Sequence, residues 1–166
     1  MNDTPTIDTE ITGGWLRATR HSLGMSIDQF ARVLDVQATT LRQKWEFGGV
    51  RIPDGVRDDV RKFVQLTDAV VETLRGKAEL LEEPAIIVYH ERSQLPDGHI
   101  AATYGLEWWD NIAASVARLD PDVIIGFPWE IAAAYGYDPT HAGDVHADPA
   151  VIAIYSQATT SAASLA

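Results

Sequence analysis

The sequence contains no cysteine among its 166 residues, which excludes disulfide-stabilised folds, thiol nucleophiles and cysteine-based zinc sites. It also has no apolar run near the ~18 residues that a membrane-spanning helix needs. The start of the chain, residues 1–12, is polar and acidic and has neither the basic beginning nor the apolar stretch of a secretory signal. These absences predict a soluble cytoplasmic protein without a membrane partner.

Common signatures of catalysis are also missing, since there is no glycine-rich phosphate loop, no Gly-x-Ser-x-Gly elbow and no His-Glu-x-x-His helix. One run, H-x-x-D-x-H-x-D, places His141, Asp144, His146 and Asp148 close together, and these residue types bind zinc or manganese. The run lies in a stretch rich in Pro, Gly and Ala, which favours a polar loop. We expect no enzyme activity, no metal and no cofactor; a metal-dependent enzyme using this run stays an alternative.

Basic residues are scarce in the second part of the chain. Residues 1–65 carry nine Lys and Arg against nine Asp and Glu, whereas residues 66–166 carry four against fifteen. The net charge of −11 therefore belongs to the second part, and residues 14–64 alone carry nine basic and six acidic side chains. This asymmetry is typical of a nucleic-acid-binding module followed by a module that does not touch nucleic acid.

Three short helices are predicted near the start of the chain. The first covers residues 15–23, and Gly24 ends it. The second begins at Ser26, because Gln29 follows three residues later and the two side chains can satisfy backbone amides as a capping box. Apolar residues recur along the second helix at spacings of three and four, which predicts one buried face. They are Ile27, Phe30, Ala31 and Leu34.

The third helix is predicted from Ala38 through Trp45, after a turn at Asp35, a residue type that tolerates left-handed backbone angles. The small side chain of Ala31 permits the second and third helices to cross closely. Two short helices joined by a tight turn, the second with a polar outer face, are the physical description of a helix-turn-helix. That face offers hydrogen-bonding groups and methyl groups to base edges. It carries Gln37, Ala38, Thr39, Arg42, Gln43 and Lys44.

A long helix is predicted after residues 52–54, because the proline in this turn suits the first turn of a helix. Its apolar stripe continues nearly to Pro84, and Gly76 is expected to interrupt it by ending one helix and starting another. This helix connects the basic module to the acidic one.

The acidic module is predicted to mix helix and strand. Apolar runs at residues 84–89 and 123–125 predict strands, residues 95–98 a turn, and residues 106–119 a helix. The fold class is therefore mainly α, with a helix-turn-helix domain and a small α+β domain. The predicted organisation is a flexible leader at 1–12, a helix-turn-helix domain with its connecting helix at 13–83, an α+β domain at 84–155 and a flexible tail at 156–166.

A set of residues in the basic module matches the pattern of a known family. The set comprises Leu16-Arg17, Arg20, Leu23-Gly24-Met25-Ser26, Phe30-Ala31, Leu41 and Trp45-Glu46. Over residues 14–64 it resembles the phage-repressor-like (Xre/Cro) helix-turn-helix family. The resemblance implies a lambda-repressor-like helical domain that binds double-stranded DNA.

Scattered further matches reach about residue 119. They are Trp45-Glu46-Phe47-Gly48, Ile52-Pro53-Asp54-Gly55-Val56, a long helix, Tyr89, Pro96-Asp97-Gly98, a tryptophan and Ser115-Val116-Ala117. This pattern is similar to a smaller group of bacterial and phage regulators that includes the anti-CRISPR-associated autorepressors. The similarity implies a carboxy-terminal dimerisation domain and a homodimer.

The resemblance also implies roles for individual residues. Arg20 would form a structural ion pair with Glu46. The start of the third helix would read bases, and either Gln43 or Lys44 would take a later reading position. The choice stays open because three residues separate Leu41 from the next tryptophan where most family members have two. The predicted DNA-binding set is Ser26, Gln37, Ala38, Thr39, Thr40, Arg42, Gln43, Lys44 and Arg51.

The α+β domain is predicted to form the dimer, because pairing two reading helices raises affinity for an inverted repeat. Aromatic residues are enriched at interfaces, although packing of the tryptophans in the core is the alternative. The predicted interface residues are Val88, Tyr89, Trp108, Trp109, Ile112 and Val116.

Together these observations predict a homodimeric, sequence-specific DNA-binding transcription regulator, a repressor on an inverted repeat. Besides the metal-dependent enzyme, two alternatives stay open. One is an antitoxin whose acidic domain binds a basic toxin, and the other is a helix-turn-helix protein that binds RNA as well as DNA.

Overall fold

A computed structural model describes residues 12–155, which are mainly helical with a small two-stranded parallel sheet. The predicted tail at 156–166 lies outside the described residues, as does the predicted leader apart from residue 12. The chain forms two compact units, Met1–Asp68 and Ala69–Ala166. The sequence instead predicted a domain boundary at residues 83 and 84.

The first two helices follow from local capping. Helix α1 (Gly13–Ser22) begins where the Thr12 hydroxyl accepts a 3.1 Å hydrogen bond from the amide of Trp15. Helix α2 (Ile27–Val33) begins with the predicted capping box, in which Ser26 Oγ accepts from the Gln29 amide and Gln29 Oε1 accepts from the Ser26 amide, each at 3.2 Å. The prediction for both helix starts is confirmed to within two residues.

The third helix departs from α geometry. Asp35 takes a positive φ of 53° in the turn that precedes it, as predicted. Ala38 and Thr39 are helical, and a π-helix (Thr40–Glu46) follows. Leu16, Phe30 and Leu41 from α1, α2 and the π-helix are fully buried and form the core of the first unit.

Helix α3 (Asp54–Ala78) is continuous, so the predicted interruption at Gly76 is wrong. A glycine inside a helix costs only about 1 kcal/mol. Burial of Leu74 and Ala78 on either side of Gly76 offsets this cost. Because the unit boundary falls at Asp68, α3 contributes residues to both units.

The second unit is built on a parallel strand pair. Strand β1 (Ala85–Ile87) pairs with β2 (Ile124–Gly126) in the register Ala85 to Ile124. Both predicted strands are present, although each is short. The crossover between them contains α4 (Ala101–Tyr104) and α5 (Leu106–Leu119), as a parallel connection requires.

Helix α5 has the predicted bounds, but its apolar face does not form a surface. Trp108, Trp109, Ile112 and Val116 are fully buried, and Trp109 Nε1 donates a 2.8 Å hydrogen bond to the Ile87 carbonyl. The prediction that these side chains form a dimer interface is therefore wrong, because their apolar area is already removed from water within one chain.

The two remaining predicted interface residues lie just after β1. Tyr89 is buried, so it also belongs to the core, whereas Val88 is half-buried. The rest of the unit comprises two 3₁₀ helices, Arg92–Gln94 and Pro139–Ala147, and helix α6 (Pro128–Ala134). Within residues 12–155, no helix is both long enough and apolar enough to cross a membrane.

Candidate nucleic-acid interface

An open groove of about 600 Å³ lies in the first unit between α1, the start of α2 and the third helix. It is bounded on one side by the outer face of the third helix and on the other by side chains of α1. Its lining residues are Arg17, Arg20, His21, Ser26, Ile27, Asp28, Ala38, Thr39, Arg42, Gln43 and Phe47.

Arg20 and Glu46 form the predicted ion pair beneath this groove. Arg20 Nε lies 2.8 Å from Glu46 Oε1 and its Nη2 lies 3.0 Å from Oε2, so the pair is bidentate. Arg20 Nη1 also donates a 2.9 Å hydrogen bond to the Met25 carbonyl. The Glu46 side chain has no exposed area. This buried, charge-assisted contact fixes the end of the π-helix against α1.

The π-helix widens the last turn of the third helix. The Phe47 amide donates to the Arg42 carbonyl at 3.1 Å, five residues back, which is the hydrogen bond that defines a π turn. Such a turn holds one residue more than an α turn. Leu41 and Trp45 are four residues apart, the spacing of neighbours on one helix face, and both are buried. The intervening segment, residues 42–44, is fully on the outside.

Two glycines permit the close packing at the end of the π-helix. A Cβ atom on Gly48 would lie 2.2 Å from the Gln43 carbonyl oxygen, and one on Gly13 would lie 2.1 Å from the Trp45 carbonyl oxygen. Both contacts are with backbone atoms, which cannot rotate away. Side chains larger than hydrogen are thus excluded from both positions.

The predicted DNA-binding residues lie on the outside of this unit. Five of the nine line the groove, with Ala38 partly exposed and the other four exposed. They are Ser26, Ala38, Thr39, Arg42 and Gln43.

The other four predicted residues do not line the groove. Gln37, Lys44 and Arg51 are exposed and Thr40 is partly exposed. Arg51 lies 3.3 Å from the Asp54 carboxylate. The structure thus separates Gln43, which lines the groove, from Lys44, which does not.

Ser26 lines the groove but has local hydrogen-bond partners. Its hydroxyl accepts from the Gln29 amide and its own amide donates to the Gln29 side chain. The capping role of Ser26 is therefore present in the structure, whereas a contact with an outside group would have to use a remaining lone pair of the hydroxyl.

Three lining residues of α1 and of the segment after the π-helix were missed by sequence reasoning. Arg17 and His21 are exposed on α1, and the Arg17 guanidinium lies 5.1 Å from the centroid of the exposed Phe47 ring. A signal was present, since Arg17 and His21 are four residues apart and so share one helix face. Only the packing of α1 against the third helix places that face at the groove.

The run of metal-binding residue types in the second unit does not form a metal site. His141 Nδ1 lies 3.2 Å from Asp138, and His146 Nδ1 lies 2.9 Å from the Gly143 carbonyl oxygen. Hydrogen bonds from Thr140 and then His141 hold the pKa of the Asp138 carboxyl below its usual range. In the stretch from 12 to 155, no three His, Asp or Glu side chains come together as metal ligands would.

Comparison of the chain with models of known protein families finds no match, and comparison with curated protein sequences finds none either.

Proposed function

We propose that this chain is a sequence-specific DNA-binding transcription regulator that acts as a homodimer on an inverted repeat and represses by excluding polymerase. The observation that supports this most directly is the groove, in which Arg17 of α1 lies beside the exposed polar face of the third helix with its own Arg42. The major groove of B-DNA, about 12 Å wide, admits an α-helix that presents an exposed polar face to base edges.

The local charge of the groove supports the proposal despite the acidic chain. Arg17 and Arg42 line it, and neither forms an ion pair with any residue in the described range 12–155. Arg20 is already neutralised by Glu46, and Asp28 is the carboxylate in the lining. Two guanidinium groups without carboxylate partners are the chemistry that phosphate oxygens recognise.

Position within the groove favours Gln43 over Lys44 as the later base-reading residue. Gln43 lies on the lining together with Ala38 and Thr39, whereas Lys44 lies outside it. A glutamine can bond bidentately to adenine N6 and N7, and the methyl groups of alanine and threonine can contact a thymine methyl. We therefore assign base reading to Gln43 and phosphate contact to Lys44.

Two copies are needed for an inverted repeat. Recognition helices of such dimers lie about 34 Å apart, one turn of DNA. One recognition helix alone contacts too short a DNA site for specific regulation. In a dimer, binding of the second recognition helix to its half-site becomes intramolecular, which raises the affinity.

The proposal is tested by fluorescence anisotropy with the DNA upstream of the protein's own gene and a shuffled duplex. Gln43→Ala should change which bases are preferred, because it removes a base contact, whereas Arg42→Ala should weaken all duplexes alike. Arg61→Ala, an exposed arginine of α3 that pairs with Asp58, is the matched control and should leave binding within twofold. Equal affinity of all four proteins for both duplexes would refute sequence-specific DNA binding.

A further inference from the structure

Among residues 12–155, no strand pairs with the outer edge of β2. The sheet has the order β1-β2, and the other side of β1 is occupied by a bridge between Ala85 and Val151. The Ile124 amide donates to the Pro84 carbonyl and the Gly126 carbonyl accepts from the Val88 amide. Because successive peptide groups of a strand point in opposite directions, the N–H and C=O of Ile125 point away from β1.

Apolar side chains surround this edge. Leu119 is 56% exposed, Trp129 is 40% exposed, and Ile124 and Ile125 are each 38% exposed. The Phe127 ring stacks on Trp129 at a centroid distance of 4.8 Å. We call these five residues the β2 patch. An unpaired strand edge among exposed apolar side chains is a template for another strand.

Carboxylates flank the β2 patch on both sides in the sequence. Asp120 and Asp122 precede β2 and Glu130 follows it, and none of the three forms an ion pair with another residue in the described part of the chain. Few cations are available nearby in sequence, since residues 66–166 carry four basic side chains. Residues 119–130 carry three carboxylates and no Lys or Arg, so the charge of this segment is negative.

A second copy of the chain is a poor occupant of this edge. Pairing of two copies at β2 would bring Asp120, Asp122 and Glu130 of both copies to the same edge, which is six carboxylates in all. Repulsion between these like charges disfavours the pairing. A strand with Lys or Arg at both ends would instead form two favourable pairs.

We propose that the β2 patch binds a basic protein partner that adds an extended strand to β2. The partner's strand has apolar residues at its centre, which cover Ile124 and Ile125, and Lys or Arg at its ends, which meet the flanking carboxylates. Its backbone bonds to the outward N–H and C=O of Ile125. This mode of recognition takes affinity from main-chain hydrogen bonds and specificity from side chains. It is independent of DNA binding by the first unit.

Two fluorescein-labelled synthetic peptides test the proposal on the full chain. The basic probe is Lys-Lys-Thr-Val-Thr-Val-Thr-Lys-Lys, and the matched control replaces each lysine with glutamate. Anisotropy should show saturable binding of the basic peptide at least tenfold tighter than of the acidic one, and weaker binding at higher salt. Equal binding of both peptides, or no binding of either, overturns the proposal.

Backbone pairing is tested with Ile125→Pro, which removes the outward N–H, while Ile125→Thr keeps it. Proline is tolerated at such an outward position of an edge strand. Binding of the basic peptide should fall at least tenfold with Ile125→Pro and less than threefold with Ile125→Thr; equal effects overturn backbone pairing.

Charge reversal provides a variant that leaves the backbone unchanged if Ile125→Pro fails to fold. Asp122→Lys should weaken the basic peptide and strengthen the acidic one, each by about fivefold. Sedimentation of the wild type, Asp122→Lys and Ile125→Pro tests whether a second copy of the chain occupies β2 instead. A dimer of the wild type that Asp122→Lys strengthens or Ile125→Pro dissociates would mean that a second copy occupies β2, contrary to the proposal.

Discussion

At the scale of single residues, Arg20 and Glu46 are the clearest case of an ion pair whose contribution to stability depends on its burial. Their pair is bidentate and the Glu46 side chain is fully covered, so each charge depends on the other for stabilisation. Exposed pairs on α3, such as Arg61 with Asp58, are solvated even when broken. The two kinds of pair should therefore respond very differently to the loss of one member.

We expect Glu46→Ala to lower the free energy of unfolding by about 3 kcal/mol, because it leaves the Arg20 guanidinium buried without a counter-charge. Asp58→Ala, which breaks an exposed pair, should cost less than about 1 kcal/mol. Urea denaturation of the two variants measures the difference. Similar midpoints for both would show that the buried pair does not hold the third helix.

His99 predicts a pH dependence of stability. It is 1% exposed, its Nδ1 accepts from the Ala101 amide at 3.2 Å, and its ring packs at 4.6 Å from the Trp109 centroid. Burial, aided by the nearby His146, lowers the pKa of His99 to about 4. The unfolded chain, with an ordinary histidine pKa near 6.5, therefore binds a proton at higher pH than the folded chain does.

Stability should accordingly be lost as pH falls from about 6.5 towards 4, by about 3 kcal/mol in total from this residue. His99→Asn keeps an acceptor for the Ala101 amide and removes the titration. Its unfolding free energy should thus change less than that of the wild type between pH 7 and pH 4.5. Burial, and then Glu107, raise the pKa of Asp110, which acts in the opposite sense in both proteins. Parallel pH profiles of the two proteins would contradict this role of His99.

At the scale of elements, local signals predicted the helices and strands well. The capping box at Ser26, the positive φ of Asp35 and the bounds of α5 each depend on a few neighbouring residues, and each is present. The π-helix was not predicted, because a widened helical turn depends on the packing around it and not on the residues of the turn alone. Gly76 was misread because its helix is stabilised by tertiary burial.

The candidate site was predicted only in part, because some of its residues reach the groove through tertiary packing. Polar residues on the outer face of the third helix follow from periodicity, whereas the contribution of Arg17 depends on how α1 packs. The tryptophans of α5 were assigned to an interface because an apolar stripe does not reveal whether it is covered by its own chain. Their complete burial, with Trp109 bonded to β1, shows that it is.

The packing around the π-helix predicts that Gly48→Ala lowers the free energy of unfolding by about 2 kcal/mol, because the new methyl group meets the Gln43 carbonyl. Gly55→Ala is the matched control, since Gly55 lies in α3 with open space around its Cα and alanine favours a helix. Thermal unfolding should show a lower midpoint for the first variant and an equal or higher one for the second. The reverse order would contradict this account of the turn.

At the scale of the whole molecule, the two units differ in charge as well as in composition. The acidic side chains in excess belong to residues 66–166, whereas the groove of the first unit presents two guanidinium groups that have no carboxylate partner in the described part of the chain. On the proposed function, the negative field of one unit discourages contact with DNA and the positive groove of the other attracts it. Net charge alone therefore does not exclude DNA binding by the first unit.

DNA affinity should therefore fall steeply with salt despite the net charge of −11, because phosphate contacts release condensed counterions. Replacing both Arg17 and Arg42 with alanine should reduce the slope of log affinity against log salt by about 2. Titrations at several salt concentrations measure the slope. A slope that is unchanged in the double variant would show that neither arginine touches a phosphate.

The widened turn between Leu41 and Trp45 has one more consequence, for how the chain tolerates changes in length. Deleting a single residue there would return the segment to ordinary α geometry while both buried anchors kept their places. The outward side chains would rotate relative to the groove. On the proposed function, a deletion of one residue there changes which group faces the DNA, and so changes the preferred sequence, while the hydrophobic interior stays intact.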